Sequence, residues 1–291
     1  VLEEPYKRIN ERFMEKYPNI KIQYDFAQDD QSLNVALQAN ELPDLFIVQG
    51  NKTPKMKEMV KQGFLHPLDE YNLDLSRFSE EEIAYGMVDG KLYSSLPSFL
   101  DTQLVYYNKA MFREHGLDVP NNWDEFVAIL DTLKNAGVTP IAMPGRSEWA
   151  RSWIVYAVQS AFANDALKGV LAGERKVTDP AIAQAFQIVR DFADAGYFGK
   201  DFIANDTAAA QFAFTNGSAA MIVDGTWNNP TYSESGIELG RFVIPNKEGR
   251  RIAAASYSNF MTYAISARSE HKDAAVKYIE FLNSLEAQQI M

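Results

Sequence analysis

The sequence predicts an α/β protein built from two lobes, the first of which is discontinuous in the chain. Amphipathic helix patterns alternate with short apolar strand patterns along the 291 residues, which is typical of α/β folds. At about 100 to 200 residues per domain, this length predicts two domains, each large enough to bury its own core. We place the crossings after residues 108 and 255, so the first lobe holds 1–108 with 256–291 and the second lobe holds 109–255.

The first lobe opens with a helix pattern, because apolar side chains recur at spacings of three and four over residues 3–17. Residues 20–26 then alternate apolar and polar side chains, which indicates a half-buried strand. After a helix through Leu33 and Leu37, the apolar run 45–48 suits a buried parallel strand. The remaining predicted elements are a helix over 54–62, a hairpin at Asp89-Gly90, a strand over 103–107, a helix after Asn108, a strand over 260–266 and a helix over 272–283.

The second lobe restarts the same alternation. A helix is predicted over 123–136, with Asn122 and Gly137 as its expected caps. Asp179-Pro180 is a typical helix start, because proline is well tolerated in the first turn. The other predicted elements are a strand over 139–143, helices over 149–162, 180–195 and 207–215, and strands over 219–223 and 241–244.

Composition and charge argue against several classes of function. The 28 Lys+Arg and 39 Asp+Glu give a net charge of −11, and the basic residues are scattered, so nucleic acid is not an expected partner. The absence of cysteine excludes disulfide scaffolds and thiolate zinc sites. Apolar runs are far shorter than the about 18 residues of a spanning helix, and no signal peptide opens the chain. Isolated histidines and the lack of a phosphate loop or dinucleotide fingerprint predict neither a metal nor a cofactor.

Six local motifs occur in one order along the chain. They are Glu4-Pro-Tyr-Lys-Arg-Ile-Asn-Glu-Arg-Phe13, Leu42-Pro-Asp-Leu-Phe-Ile-Val48, Leu96-Pro97 with Tyr107-Asn-Lys109, Asn122-Trp-Asp-Glu-Phe126, Met221-Ile-Val-Asp-Gly-Thr-Trp227, and a closing set from Ala264 to Phe281. Each motif is weak alone, but six in order are fairly specific and cover essentially the whole chain. Together they resemble the extracellular solute-binding proteins of family 1, the maltose-binding-protein-like receptors of ABC sugar importers.

The resemblance implies a two-lobed periplasmic-binding-protein fold, the Venus-flytrap, in which crossing strands join the lobes and a cleft between them holds a mono- or oligosaccharide. It implies a receptor that works outside the cytoplasmic membrane, in the periplasm or tethered by lipid. Its partners would be the carbohydrate ligand and the permease subunits of an ABC transporter. We expect a monomer with no catalytic residue.

Sugar recognition needs flat apolar surfaces for the ring faces, and tryptophans of the second lobe are the main candidates. Trp227 follows a glycine turn directly after an apolar strand, and the family commonly stacks sugar on a Trp at this place. Trp149 and Trp153 lie four residues apart on one predicted helix face, and we assign Trp149 to the cleft and Trp153 to the core. Arg146 could bind an acidic sugar or pair with a carboxylate of the protein, and we favour the pairing.

Polar side chains from the other lobe and from the crossings would complete the site. Gln49 and Asn51 follow an apolar strand, and ligands bind at the carboxyl ends of strands in open α/β sheets. Asn51 could equally cap the next helix. The resemblance implies that Asp101 accepts hydrogen bonds from sugar hydroxyls. It also implies ligand contacts for Tyr257 and Ser258, in a loop at the returning crossover.

Two other functions stay open. A glycosidase would need paired carboxylates about 5 to 9.5 Å apart. The candidates, Glu80-Glu-Glu82 and Asp69-Glu70, lie in charge-rich, turn-prone stretches that favour solvated faces. A receptor for a non-sugar solute, such as a peptide, polyamine or metal complex, is the stronger alternative. Four tryptophans with nearby Asn and Gln side chains favour a neutral polyol over a cation.

Overall fold

The computed structural model describes residues 3–25, 30–50, 54–97, 101–171, 173–256 and 262–290. The chain divides into a first unit, Val1–Leu100 with Ser256–Met291, and a second unit, Asp101–Ala255. The first crossing therefore lies after residue 100 rather than after residue 108. The reason is that the strand over 101–108 forms its backbone hydrogen bonds with strands of the second unit.

The elements follow one another in three stretches of the chain. Before residue 100 they are α1 (Glu3–Lys16), α2 (Asp30–Ala39), β1 (Leu45–Val48), α3 (Pro54–Lys61), α4 (Glu80–Tyr85), β2 (Met87–Val88) and β3 (Lys91–Leu92). Next come β4 (Asp101–Asn108), α5 (Lys109–Glu114), α6 (Trp123–Asn135), β5 (Thr139–Ala142), α7 (Trp153–Phe162), α8 (Asn164–Leu171), α9 (Pro180–Asp194), α10 (Thr207–Thr215), β6 (Ala219–Gly225), α11 (Asn229–Ser233), β7 (Leu239–Phe242) and β8 (Ala254–Ser256). The last three are β9 (Thr262–Ile265), α12 (Lys272–Leu282) and α13 (Leu285–Ile290).

The main sheet of the first unit joins an early strand to a late one. β1 pairs antiparallel with β9, with Leu45 opposite Ile265 and Val48 opposite Thr262. The strand predicted over 45–48 is therefore present, but the expected parallel pairing is wrong. Its apolar run reflects contacts on both faces of the strand, because Leu45 and Ile47 pack against one core cluster while Phe46 and Val48 belong to another.

Helices α1 and α12 supply the core on one side of this sheet. Tyr6, Ile9 and Phe13 of α1 are buried together with Tyr278 and Phe281 of α12. The Phe13 and Tyr278 rings lie edge to face, with centroids 5.1 Å apart. The spacing of three and four that predicts α1 is thus the spacing of the residues that α1 buries.

One strand predicted in the first unit does not form. Residues 20–25 have no strand structure, contrary to the prediction, although their apolar side chains still pack on the core of α1 and α12. Residues 19–22 line a groove of about 310 Å³ together with residues 44–45 and side chains of α12. Phe26 lies outside the described residues.

The hairpin predicted at Asp89-Gly90 is confirmed. β2 and β3 pair antiparallel on either side of these two residues. Both turn residues have positive φ, 49° for Asp89 and 84° for Gly90. A two-residue turn of this kind requires positive φ at both positions, and Asp-Gly is one of the sequences that tolerate it best.

The second unit is built on a mixed sheet with strand order β5-β6-β4-β7, and β8 also pairs with β4. β5 and β6 run parallel, whereas β4 runs antiparallel to both β6 and β7. Helices α6, α7 and α9 cover one hydrophobic core, in which Phe126, Leu130, Val158, Ile141 and Met221 are fully buried. Because β5 and β6 are parallel, their carboxyl ends lie at the same edge of the sheet, which is where open α/β sheets generally bind ligands.

Short polar side chains begin several helices of this unit at the predicted places. Asn122 accepts a hydrogen bond from the backbone N–H of Glu125 at the start of α6. Asp179 accepts from the N–H of Ala181 at the start of α9. Asn108 caps α5 in the same way. These caps satisfy N–H groups that have no partner within the helix, which is why local sequence predicts helix starts well.

Candidate functional site

Three tryptophans meet where the parallel strands of the second unit end. Trp227 lies in a 3-10 turn, Thr226–Asn228, directly after β6, and Trp149 and Trp153 follow β5. The Trp153 ring centroid lies 4.9 Å from that of Trp149 and 5.3 Å from that of Trp227. Both contacts are edge to face, the geometry that the charge distribution of aromatic rings favours. We call these three residues the Trp cluster.

The members of the Trp cluster differ in their access to solvent. Trp153 is 4% exposed and belongs to the hydrophobic core, as predicted. Trp149 is 59% exposed, so a large part of its indole is available to a ligand. Trp227 is partly buried against the same core. The cluster therefore presents an aromatic surface in Trp149 and Trp227 that rests on a buried third ring.

Gly225 allows Trp227 to fold back onto the end of β6. A Cβ atom at Gly225 would lie 1.9 Å from Cζ3 of the Trp227 ring, far inside van der Waals contact. The φ angle of Gly225 is −89°, which any residue adopts, so this glycine provides space rather than conformational freedom. The glycine turn seen in the sequence therefore holds the indole against the backbone.

The loop between β5 and the Trp cluster is attached to the start of α10. The N–H of Gly145 donates to the carbonyl of Phe202 at 3.1 Å. Arg146 Nη2 lies 2.6 Å from Oδ2 of Asp206, so the favoured pairing of Arg146 with a carboxylate is present. The N–H of Ala209 and the Arg146 guanidinium lower the pKa of Asp206. The side chains of the ion pair are 65% and 45% exposed, so Arg146 remains accessible to a ligand.

Asp224 is a residue of this region to which the sequence analysis gave no role. Its side chain is 0% exposed at the end of β6. Hydrogen bonds reach it from Tyr232, Asn228, Gln211 and the backbone of Gly225. The available signal is a single carboxylate directly after the apolar run from Ala219 to Val223.

The candidates outside the Trp cluster are less completely described. Gln49 is exposed directly after β1. Asp101 is the first residue of β4, and the structure does not describe its side chain. Asn51, Tyr257 and Ser258 lie outside the described residues. Because β1 pairs antiparallel with β9, the argument from parallel strand ends does not apply to Gln49. The ligand roles of these five residues stay predictions.

The carboxylates considered for glycoside cleavage have structural roles. Glu82 and Ser79 form a reciprocal capping box at the start of α4, where Glu80 and Glu81 fill the first turn. The Asp69 carboxylate accepts a hydrogen bond from the N–H of Leu92, with Oδ2 at 3.2 Å. Glu70 Oε1 lies 3.1 Å from Nε2 of His66.

Within the described ranges, no three or more His, Asp or Glu side chains are grouped as metal ligands would be. No described helix is long and apolar enough to cross a bilayer. The longest are α9 and α1, with 15 and 14 residues, against the about 20 that a span requires.

Comparison with known proteins gives consistent matches over nearly the whole chain. The profile of the family described as bacterial extracellular solute-binding protein matches residues 1–289. An uncharacterised ABC transporter extracellular-binding protein of Pyrococcus horikoshii is 25% identical over 98% of this chain and 66% of its own length. The multiple sugar-binding protein of Streptococcus mutans is 26% identical over 97% of this chain and 69% of its own length. The chain thus spans about two thirds of the length of these curated relatives.

A solved structure of a chitin oligosaccharide binding protein matches with a TM-score of 0.81. It is 27% identical, and the match covers 97% of this chain and 73% of that one. The fold is therefore the α/β fold of two-lobed solute-binding proteins, as the sequence predicts.

Proposed function

Because the chain belongs to the bacterial extracellular solute-binding protein family, we propose that it binds a carbohydrate and delivers it to the permease of an ABC importer. The observation that carries the sugar assignment is the exposed indole of Trp149, which is linked to Trp227 through the buried Trp153 ring at the shared end of β5 and β6. The names of the Streptococcus mutans relative and of the chitin oligosaccharide binding protein support the same class of ligand. The protein would work outside the cytoplasmic membrane, in the periplasm or tethered by lipid.

The chemistry of the Trp cluster suits a sugar better than a charged solute. The C–H faces of a pyranose ring are apolar and pack on indole, while the hydroxyls at the ring edge need polar partners. Arg146, three residues before Trp149, and its ion-pair partner Asp206 can supply both donors and an acceptor. A ligand of two or more sugar rings would use both Trp149 and Trp227, and we therefore favour an oligosaccharide.

The ligand would leave chemically unchanged. Cleavage of a glycosidic bond needs two carboxyl groups held on either side of that bond. The carboxylates of α4 and the Asp69-Glu70 pair cap a helix or satisfy nearby groups. A monomer without a nucleic-acid partner fits a net charge of −11 and scattered basic residues.

Thermal unfolding with a panel of ligands tests the proposal. The panel holds mono- and oligosaccharides, chitin oligosaccharides among them, at about 1 mM, with amino acids and polyamines as controls. A ligand at about 100 times its Kd adds about 2.7 kcal/mol to stability, which raises Tm by several degrees. A shift with a sugar that chromatography recovers intact is the expected result. A shift with a control alone would favour a non-sugar receptor, and a shortened sugar would indicate an enzyme.

The role of the exposed indole is tested by Trp149→Ala. We expect affinity for the stabilising sugar to fall at least about fivefold, or about 1 kcal/mol, because a central aromatic contact is lost. The matched control is Tyr156→Ala in α7, which removes another exposed aromatic ring, 49% accessible, outside the Trp cluster. Isothermal titration calorimetry should show an affinity loss for the first variant alone. Unchanged binding by Trp149→Ala would remove this residue from the site.

A further inference from the structure

Asp224 is a buried carboxylate at the end of an apolar strand. Its side chain is 0% exposed, and every residue of β6 is buried. Transfer of a carboxylate into such surroundings is costly unless several donors replace the water it loses. A carboxylate in this position therefore calls for a specific structural or functional reason.

Four hydrogen-bond donors replace that water. Oδ1 accepts from the backbone N–H of Gly225 at 2.7 Å. Oδ2 accepts from Asn228 Nδ2 at 2.9 Å, from Gln211 Nε2 at 3.2 Å and from the Tyr232 hydroxyl. Gln211 belongs to α10, Tyr232 belongs to α11, Gly225 is the last residue of β6, and Asn228 is the last residue of the turn that carries Trp227. The carboxylate thus connects these elements to the end of β6.

Two of the four donors flank Trp227 in the sequence. Gly225 lies two residues before the indole, which rests against its Cα, and Asn228 is the residue after it. The Asp224 carboxylate is consequently hydrogen-bonded on both sides of Trp227, to the last residue of β6 and to the last residue of the turn. These two hydrogen bonds and the contact with the Trp153 ring restrict the positions that the Trp227 ring can take.

We propose that Asp224 is a positioning residue for ligand binding, which fixes the orientation of Trp227 without contacting the ligand. Its complete burial keeps it out of reach of any ligand on the surface of the Trp cluster. The proposal rests on the proposed function for the identity of the ligand. The orientation of Trp227, however, is a property of the ligand-free protein and can be measured separately.

Fluorine NMR of the protein labelled with 5-fluorotryptophan measures that orientation. The four tryptophans give four resonances, each assigned by one Trp→Phe variant. Asn228→Ala removes a donor that flanks Trp227. Gln211→Ala is the matched control, because it removes a donor to the same oxygen, Oδ2, from a helix that does not carry the indole. We expect the Trp227 resonance to move or broaden in Asn228→Ala and to stay in place in Gln211→Ala.

Asp224→Asn removes the charge and replaces one acceptor with a donor while keeping the shape of the side chain. We expect a displaced Trp227 resonance and at least a tenfold loss of affinity for the sugar that stabilises the wild type. The Trp123 resonance should be unchanged, since that ring stacks on Phe192 in the core. Asn228→Ala should weaken binding in the same direction by a smaller factor.

Two results would overturn the proposal. One is a Trp227 resonance that stays in place in both Asn228→Ala and Asp224→Asn. The other is an equal displacement in Asn228→Ala and Gln211→Ala, which would mean that the carboxylate supports the fold in general. If no sugar binds the wild type, the proposed function fails, but the ligand-free spectra still decide whether Asp224 positions Trp227.

Discussion

Gly225 makes room for the Trp227 indole because it has no side chain. In Gly225→Ala the new methyl group would lie 1.9 Å from the ring, so the indole or the strand end must shift. Such overpacking typically costs about 1 to 3 kcal/mol of unfolding free energy, which urea denaturation measures. Gly169→Ala in α8 is the control, since its nearest neighbours are side-chain atoms of Arg175 that can move. That change should be neutral or stabilise by up to about 1 kcal/mol. Equal effects of the two changes would contradict the steric role of Gly225.

Asp224 should also make the stability of the protein depend on pH. Burial raises its pKa above the usual value near 3.8, although hydrogen bonds from Tyr232, Asn228, Gly225 and Gln211 act in the opposite direction. The unfolded state then ionises at lower pH than the folded state, so folding loses stability as pH rises through the raised pKa. The unfolding free energy of wild type minus that of Asp224→Asn should therefore fall from about pH 3 upward and then level off. A difference that is constant with pH would contradict a raised pKa.

At the scale of single residues, the sequence indicates the tryptophans of the candidate site more clearly than the buried hydrogen bonds around Asp224. Trp149 and Trp227 stand out because tryptophan is rare and each follows a turn after an apolar strand. Asp224 has donors at positions 211, 228 and 232, and the fold brings these together. The sequence alone does not indicate that these three donors meet at one carboxylate.

The start of α10 combines a helix cap with an ion pair, and the two can be separated. Asp206 Oδ1 accepts from the N–H of Ala209 at 2.8 Å, and its Oδ2 pairs with Arg146. Asp206→Ala removes both and should lower the unfolding free energy, mostly through loss of the cap. Asp206→Asn keeps a capping oxygen and loses the charge, and should lower the unfolding free energy by less, because the pair is exposed. Chemical denaturation that gives equal costs would assign the stability to the ion pair instead.

Helices were predicted more accurately than strand pairing, for a physical reason. A helix satisfies its own backbone, and its ends are set by caps such as Asn122 and Asp179 that lie in the local sequence. A strand needs a partner, which periodicity does not identify. Residues 20–25 have the alternation of a strand but form none, and β1 has the composition of a parallel strand but pairs antiparallel.

On the scale of the whole molecule, the second unit is formed by one continuous stretch of the chain, whereas the first unit is formed by two separate stretches. The second unit takes its core and most of its sheet from the continuous stretch Asp101–Ala255. We expect a fragment of these residues to fold alone and to unfold cooperatively, as judged by circular dichroism. A fragment of residues 1–100 lacks β9 and α12, and with them half of the core around Phe13, so it should remain unfolded. An unfolded second-unit fragment, or a folded first one, would contradict this division.

The pairing of β8 with β4 has a consequence for the order of events during synthesis. These strands lie at the two ends of the second unit, so completing its sheet brings the points where the chain enters and leaves it side by side. Until then, β1 and β9 are separated by a long flexible loop whose closure costs entropy. Once the second unit has folded, most of that loop has already been closed. The ribosome also releases the second unit before β9. If the second unit folds first, only a short length of unfolded chain separates β1 from β9 when the two strands pair.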